Sequence, residues 1–171
     1  MGIIECGGTE FYELSKDILA RGACLRFQAR GGSMYPFIRD GDILEVQPME
    51  VAEVGVGDVI FFRGHRGNML AHRLVRKTQA ENGETILIAR GDSASQFDRP
   101  VRPDQLFGKV ISIERRYKRV ELDSGLIKLM GLLWAKVPLI GSRVYPFLGR
   151  GKRKILKAAS DLTMLHLSLR A

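Results

Sequence analysis

Between Leu25 and Leu122 the chain is cut into short runs of strand-forming residues, most of them separated by glycine, aspartate or asparagine. That punctuation constrains the fold more than any other feature. Leu25, Phe27 and Ala29 alternate with Arg26, Gln28 and Arg30, the period of a half-buried strand. Asp40-Gly41-Asp42 turns the chain into Ile43–Val46, and Gly57-Asp58 leads into the wholly apolar Val59-Ile60-Phe61-Phe62. The loop Gly64–Asn68 returns through Met69–Arg76. Glu81-Asn82-Gly83-Glu84 then marks a hairpin into Thr85–Ala89, and Leu106–Glu114 and Arg119–Leu122 complete the set. Seven or so short strands between such turns predict a mainly β domain, antiparallel and partly closed.

Helical periodicity flanks this region. Thr9–Arg21 reads as a helix with Thr9 as N-cap, Glu10 and Glu13 in its first turns and Gly22 at its end; Phe11, Leu14, Ile18 and Leu19 form its apolar stripe. After Asp123 the period is helical again, over Leu126–Val137 and Lys152–Leu169. The second of these carries Ile155, Ala159, Leu162, Leu165 and Leu169 along one side, and Arg150, Lys152, Arg153, Lys154 and Lys157 cluster around its start. The chain therefore divides into an N-terminal helical segment (1–22), a β domain (23–123) and a basic amphipathic helical tail (124–171).

Charge follows the same division. Residues 1–114 hold 14 Lys and Arg against 16 Asp and Glu, whereas residues 115–171 hold 13 against 3. A basic, leucine-rich tail suits an anionic membrane surface, with nucleic acid as the less favoured partner. Glu5 stands where a signal peptide would be basic, and Lys128, Lys136, Pro138 and Arg143 interrupt the apolar stretch Leu126–Leu148. Peripheral membrane association or a cytoplasmic location is the expectation. Cys6 and Cys24 make no disulfide framework, and Cys24 reads as a small buried side chain. Two cysteines and three histidines show no ligand spacing, and no glycine-rich phosphate loop occurs, so neither metal nor cofactor is expected.

The residues able to carry chemistry are few. Ser33 follows Gly31-Gly32, where glycines allow close backbone approach and convergent amide N–H groups. Read alone, Gly-Gly-Ser is a turn with a solvated hydroxyl. His72 shares a strand face with Leu70 and Leu74, which suits either a base or a core histidine bonded to a carbonyl. Asp92, between Gly91 and Ser93, has the form of a turn residue, and Asp98 that of a surface ion-pair partner. Serine, histidine and aspartate are also the parts of a hydrolytic triad: nucleophile, base and orienting carboxylate.

The words around these residues occur together and in order. Ser33-Met34-Tyr35-Pro36-Phe37-Ile38 is followed by Gly41-Asp42, Gly57-Asp58-Val59-Ile60 and Ala71-His72-Arg73-Leu74-Val75. Ala89-Arg90-Gly91-Asp92, Asp98 and Gly108-Lys109-Val110 come next. The series, over residues 23–113, resembles the signal peptidase I family of serine peptidases and the broader group that includes LexA-type self-cleaving repressors. The resemblance implies their antiparallel, partly closed β-fold. His72-Arg73 stands where most bacterial enzymes have a lysine, so the chain resembles the Ser/His kind found in the endoplasmic reticulum, archaea and sporulation. That implies Ser33 as nucleophile, His72 as base and Asp98 as third member, with Asp92 bracing the site or standing as the alternative third member. It also implies a backbone cradle for the oxyanion at Gly31, Gly32 and Ser33, substrate contacts at Met34 and Pro36, and peptide substrates with small residues before the scissile bond. Where the family usually has a serine two positions before the nucleophile this chain has Gly31, leaving backbone N–H groups as the assured donors.

Two other readings are compatible with the same words. One is a self-cleaving LexA-type regulator, with Cys6-Gly7 as a candidate bond. The other is a non-catalytic module that binds peptide or membrane.

Overall fold

A computed structural model of the chain describes residues 7–136. Helix α1 (Gly8–Ala20) precedes β1 (Leu25–Gln28), β2 (Ile43–Gln47), β3 (Val59–Arg63), β4 (Met69–Gln79) and β5 (Thr85–Arg90). A short 3-10 turn (Pro103–Gln105), β6 (Leu106–Arg115), β7 (Lys118–Glu121) and helix α2 (Gly125–Lys136) follow. The expectation of a mainly antiparallel β fold with a helix at each side holds. All seven strands join one antiparallel sheet in the order β1-β2-β6-β3-β4-β5, with β7 also on β6. The sheet stays open, and β1 and β5 are its edges.

Strand β6 organises this sheet. One of its edges pairs with β2 from Lys109 to Glu114; the other is divided between β3, at Leu106–Lys109, and β7, at Ser112–Arg115. Strand β3 therefore lies at the centre with both faces covered. Val59 and Phe61 enter one core with Leu25, Leu44, Val46, Val110 and Ile113. Ile60 and Phe62 enter a second with Leu74, Leu87, Ala89 and Val101. Burial on both faces is the physical reason this strand is continuously apolar, where β1 alternates. Each such fully buried side chain contributes on the order of 1.5–3 kcal/mol.

Helix α1 covers the first core. Phe11 meets Phe27 and Phe61 edge-on, at ring distances of 5.2 and 6.2 Å. Its inward stripe departs from the sequence reading. Ser15 is fully buried, with its hydroxyl donated to Phe11 O at 2.6 Å, while Leu14 is 41% exposed. The N-cap is Gly7 rather than Thr9, and Glu10 accepts the Gly7 N–H. Cys24, expected to be buried, lies exposed just before β1.

The tail divides at the edge of the described residues. Its first part is α2, which packs against β4 and buries Gly131 and Ala135. The 124 boundary thus separates sequence character and not packing. The helix read at Lys152–Leu169 and its basic cluster lie outside the described residues. Among those residues, no helix is long and apolar enough to cross a membrane.

Candidate active site

Ser33, His72 and Asp98 come from three separate parts of the sequence and meet at one point. Ser33 follows β1 on the turn after Gly31-Gly32. Gly31 has φ +92°, which an L side chain adopts only under strain, so a serine at this position would be strained. His72 is in β4, paired with Ile60 of β3, and its ring packs edge-on against Phe62 at 6.2 Å. Asp98 lies where the chain returns along β5: its N–H donates to Ala89 O, and Val101 bridges Leu87 in both directions.

The three side chains form one hydrogen-bonded line. His72 Nδ1 lies 2.7 Å from Asp98 Oδ2, and His72 Nε2 lies 3.0 Å from Ser33 Oγ. The carboxylate fixes the tautomer: Nδ1 carries the proton and donates it to Asp98, which leaves Nε2 to accept the serine O–H. The imidazole side chain is only 10% exposed, whereas Ser33 faces solvent. An accessible hydroxyl backed by an oriented, largely desolvated imidazole is the arrangement that nucleophilic acyl transfer requires.

Asp92 has a different job. Its side chain is 1% exposed, and Arg73 forks onto it, Nε to Oδ1 at 2.7 Å and Nη2 to Oδ2 at 2.6 Å. Burial pushes the Asp92 carboxyl above its ordinary range, against the pull of the Arg73 bonds and charge. Arg73 Nη1 also donates to Gly57 O at 2.7 Å, and its guanidinium lies over the Phe37 ring. Asp92 is therefore a brace, with the imidazole bonded to Asp98 instead.

The segment around Asp92 grips the serine turn through its backbone. Ser93 N–H donates to Ser33 O at 2.9 Å, and the Ser93 hydroxyl reaches Gly32 O at 2.9 Å and Ser33 O at 3.0 Å. Gly91 sits so close that a Cβ there would come within 2.7 Å of Ser33 O. Any side chain at 91 would force the two loops apart.

The expected cradle is narrower than the sequence suggested. Gly31 N–H is taken by Asp40 Oδ1 at 2.7 Å, so Gly31 is a turn residue and not an oxyanion donor. The N–H groups of Gly32 and Ser33 donate to no acceptor among the described residues. Met34 and Pro36, expected to contact substrate, are both buried; Met34 is 4% exposed and belongs to the first core. They hold the turn from beneath and present no open surface to a peptide.

Sequence reasoning passed over Arg73, Ser93 and Trp134. Arg73 directly follows His72, but nothing local marks its partner nineteen residues on. Trp134, the chain's single tryptophan, offered a signal as the one aromatic residue of α2. His65, in the loop before β4, bonds Arg99 and not the triad. No metal-binding group of His, Cys, Asp or Glu occurs among the described residues. A cavity of about 410 Å³ lies between α1 and the 48–53 and 103–107 segments, and Ser33, His72 and Asp98 are not among its lining residues. No protein-family model and no curated protein matches this chain.

Proposed function

We propose that this chain is a serine endopeptidase of signal peptidase type. The observation that carries the reading is the unbroken Ser33–His72–Asp98 line, at 3.0 and 2.7 Å, ending in an exposed hydroxyl. In the proposed reaction Ser33 Oγ attacks a peptide carbonyl while His72 Nε2 takes its proton. The imidazolium formed is stabilised by Asp98, and the developing oxyanion is held by the Gly32 and Ser33 N–H groups. His72 then gives the proton to the departing amine as the C–N bond breaks. Water, deprotonated by the same nitrogen, attacks the acyl-serine ester, and the imidazolium returns that proton to Ser33 Oγ as the acid leaves.

Strand β1 offers a place for the substrate. It is an edge of the sheet, its outer side is unpaired among the described residues, and it runs toward Ser33. Ala29 N–H bonds inward to Asp42 O, so by antiparallel alternation Arg26 and Gln28 turn their backbone groups outward. An extended peptide added there would be bound by main-chain hydrogen bonds. Small residues before the scissile bond follow from the family resemblance, and a peripheral contact with anionic membrane follows from the basic tail.

The test is labelling with an alkyl fluorophosphonate, followed by cleavage of a peptide library by wild type and Ser33→Ala. Labelling at Ser33 with cleavage lost in the variant supports the reading. Wild-type protein that neither labels nor cleaves sinks it, and retained binding of peptides along β1 would then point to the non-catalytic module. A time-dependent loss of mass from the chain itself would instead identify the self-cleaving regulator.

A further inference from the structure

The serine turn is held by a neighbouring segment, and that segment is in turn held by a helix no triad residue belongs to. Asp92 is gripped at both ends. Its carboxylate is forked by Arg73 of β4, and its carbonyl accepts the indole N–H of Trp134 of α2 at 3.2 Å. Either side of Asp92, Gly91 and Ser93 make the contacts that fix the Ser33 and Gly32 carbonyls.

Helix α2 is seated for this role. The Trp134 ring meets Phe37, four residues after the serine, edge-on at 5.4 Å. Gly131 lies where a Cβ would come within 2.8 Å of Arg73 Nη1 and 2.9 Å of Gly57 O. Arg90, at the end of β5, reaches Trp134 O at 3.4 Å. One turn of helix therefore touches the Arg73–Asp92 pair, the loop before β3, the end of β5 and the residue that follows the serine turn.

We infer that Trp134 is a positioning residue for Ser33. It acts through Asp92 and Ser93, and it sets the placement of the serine backbone without touching substrate. The inference deepens the peptidase reading and rests on it for its catalytic consequence. The geometric half, a Trp134-dependent grip on the Ser33 carbonyl, stands apart from that reading and is measured separately.

Trp134→Phe is the informative variant, because it keeps a ring against Phe37 and removes only the N–H donated to Asp92 O. Two measurements on the full chain are needed. Amide hydrogen exchange across residues 91–95 reads the Ser93 N–H bond to Ser33 O whatever the chemistry. Saturation kinetics of fluorophosphonate labelling read the serine. The expected result is faster exchange at Ser93 and a maximal labelling rate lower by on the order of 10- to 100-fold, the usual consequence of small misplacement. Probe affinity and global melting temperature should be nearly unchanged. Ser93→Ala, which removes the hydroxyl bonds from the other end, should give the same signature. Unchanged exchange at Ser93, or loosened exchange with an unchanged labelling rate, overturns the positioning role. A wild type that never labels overturns the peptidase reading; the exchange data alone then decide whether Trp134 holds the serine turn.

Discussion

His72 and Arg73 are neighbours in β4, yet each is bonded to a different aspartate: His72 Nδ1 to Asp98 Oδ2 at 2.7 Å, Arg73 to both oxygens of Asp92 at 2.7 and 2.6 Å. The strand's pleat turns successive side chains to opposite faces. The proposed chemistry and its support are thereby separated within one dipeptide, and the separation can be measured. Asp98→Asn should lower kcat by about 10³- to 10⁴-fold by favouring the wrong imidazole tautomer, with little change in melting temperature. Asp92→Asn should act chiefly on stability, with a smaller fall in kcat than Asp98→Asn as the Ser93 grip on the serine turn loosens. It leaves a buried guanidinium without its countercharge, a defect that typically costs about 3–5 kcal/mol. Kinetics and thermal melts of the two variants side by side check this, and the opposite ranking would make Asp92 the third triad member.

Ser33→Ala and His72→Ala should each reduce cleavage by about 10⁴- to 10⁶-fold. Ser33 is exposed, so its replacement should leave the melting curve unchanged. Activity above a few per cent in either variant, measured on a peptide that the wild type cleaves, removes that residue from the mechanism.

Gly91→Ala places a methyl group where only 2.7 Å separates it from Ser33 O. One of the two loops must yield. We expect a loss of about 1–3 kcal/mol, as for other overpacked sites, together with a fall in kcat larger than any rise in KM. Chemical denaturation and steady-state kinetics test it, and a stable, fully active Gly91→Ala protein would show that the two loops do not need this contact.

Lys109 is largely buried, with Nζ 2.7 and 2.9 Å from the oxygens of Asp123 and 3.6 Å from Asp58. Burial raises the Asp123 carboxyl, but the hydrogen bonds and charges of Lys109 and Lys128 outweigh it, and the net direction is below the ordinary 3.8. A carboxyl depressed on folding stabilises the folded state above its unfolded pKa and loses that contribution as the pH falls through the folded one. The melting temperatures of wild type and Asp123→Asn should therefore differ most above about pH 4 and converge below it. Asp123 is well solvated, so the difference should be small. A gap that stays constant down to about pH 2 would contradict the ion pair as its source.

The β6–β7 hairpin turns on Arg116 and Tyr117, at φ +49° and +65°, and Tyr117 is 99% exposed. Two consecutive positive values are the requirement of a type I′ turn, which favours Asn-Gly. Arg116→Asn with Tyr117→Gly should stabilise the protein by roughly 1 kcal/mol, after the entropy that glycine adds to the unfolded chain. The urea midpoint should rise with its slope unchanged. Catalysis should be untouched, because neither side chain contacts the triad.

Local chemistry made the strands legible. Alternation in β1, the apolar run of β3 and the Asn82-Gly83 turn each carry their instruction within a few residues, and the observed strands begin within a residue of those readings. Ser33 and His72 stand in recognisable words, whereas Asp98 is reached only by its spacing within the resemblance, with Asp92 as the alternative; the structure brings Ser33, His72 and Asp98 together. What the sequence left unread is long-range pairing. The fork from Arg73 to Asp92, the grip of Ser93 on the serine turn, the capture of Gly31 N–H by Asp40 and the indole bond of Trp134 all join residues whose local patterns are satisfied without one another. The stripe of α1 erred for a related reason: a serine whose hydroxyl is bonded within its own helix can be buried at little cost, so Ser15 took the inward place read for Leu14.

The turn carrying Ser33 is open on its side-chain face and tied on its main-chain face. Both carbonyls flanking the Gly32–Ser33 link are already spoken for by Ser93, and Gly91 leaves no gap beneath them. A loop that had to freeze when substrate arrived would lose about 1–2 kcal/mol of backbone entropy per residue at that moment. Here those carbonyls are tied by contacts within the fold itself. On the proposed peptidase reading, a peptide arriving at Ser33 would meet a turn whose carbonyls are already hydrogen-bonded, and its binding energy would not be drawn on to order them.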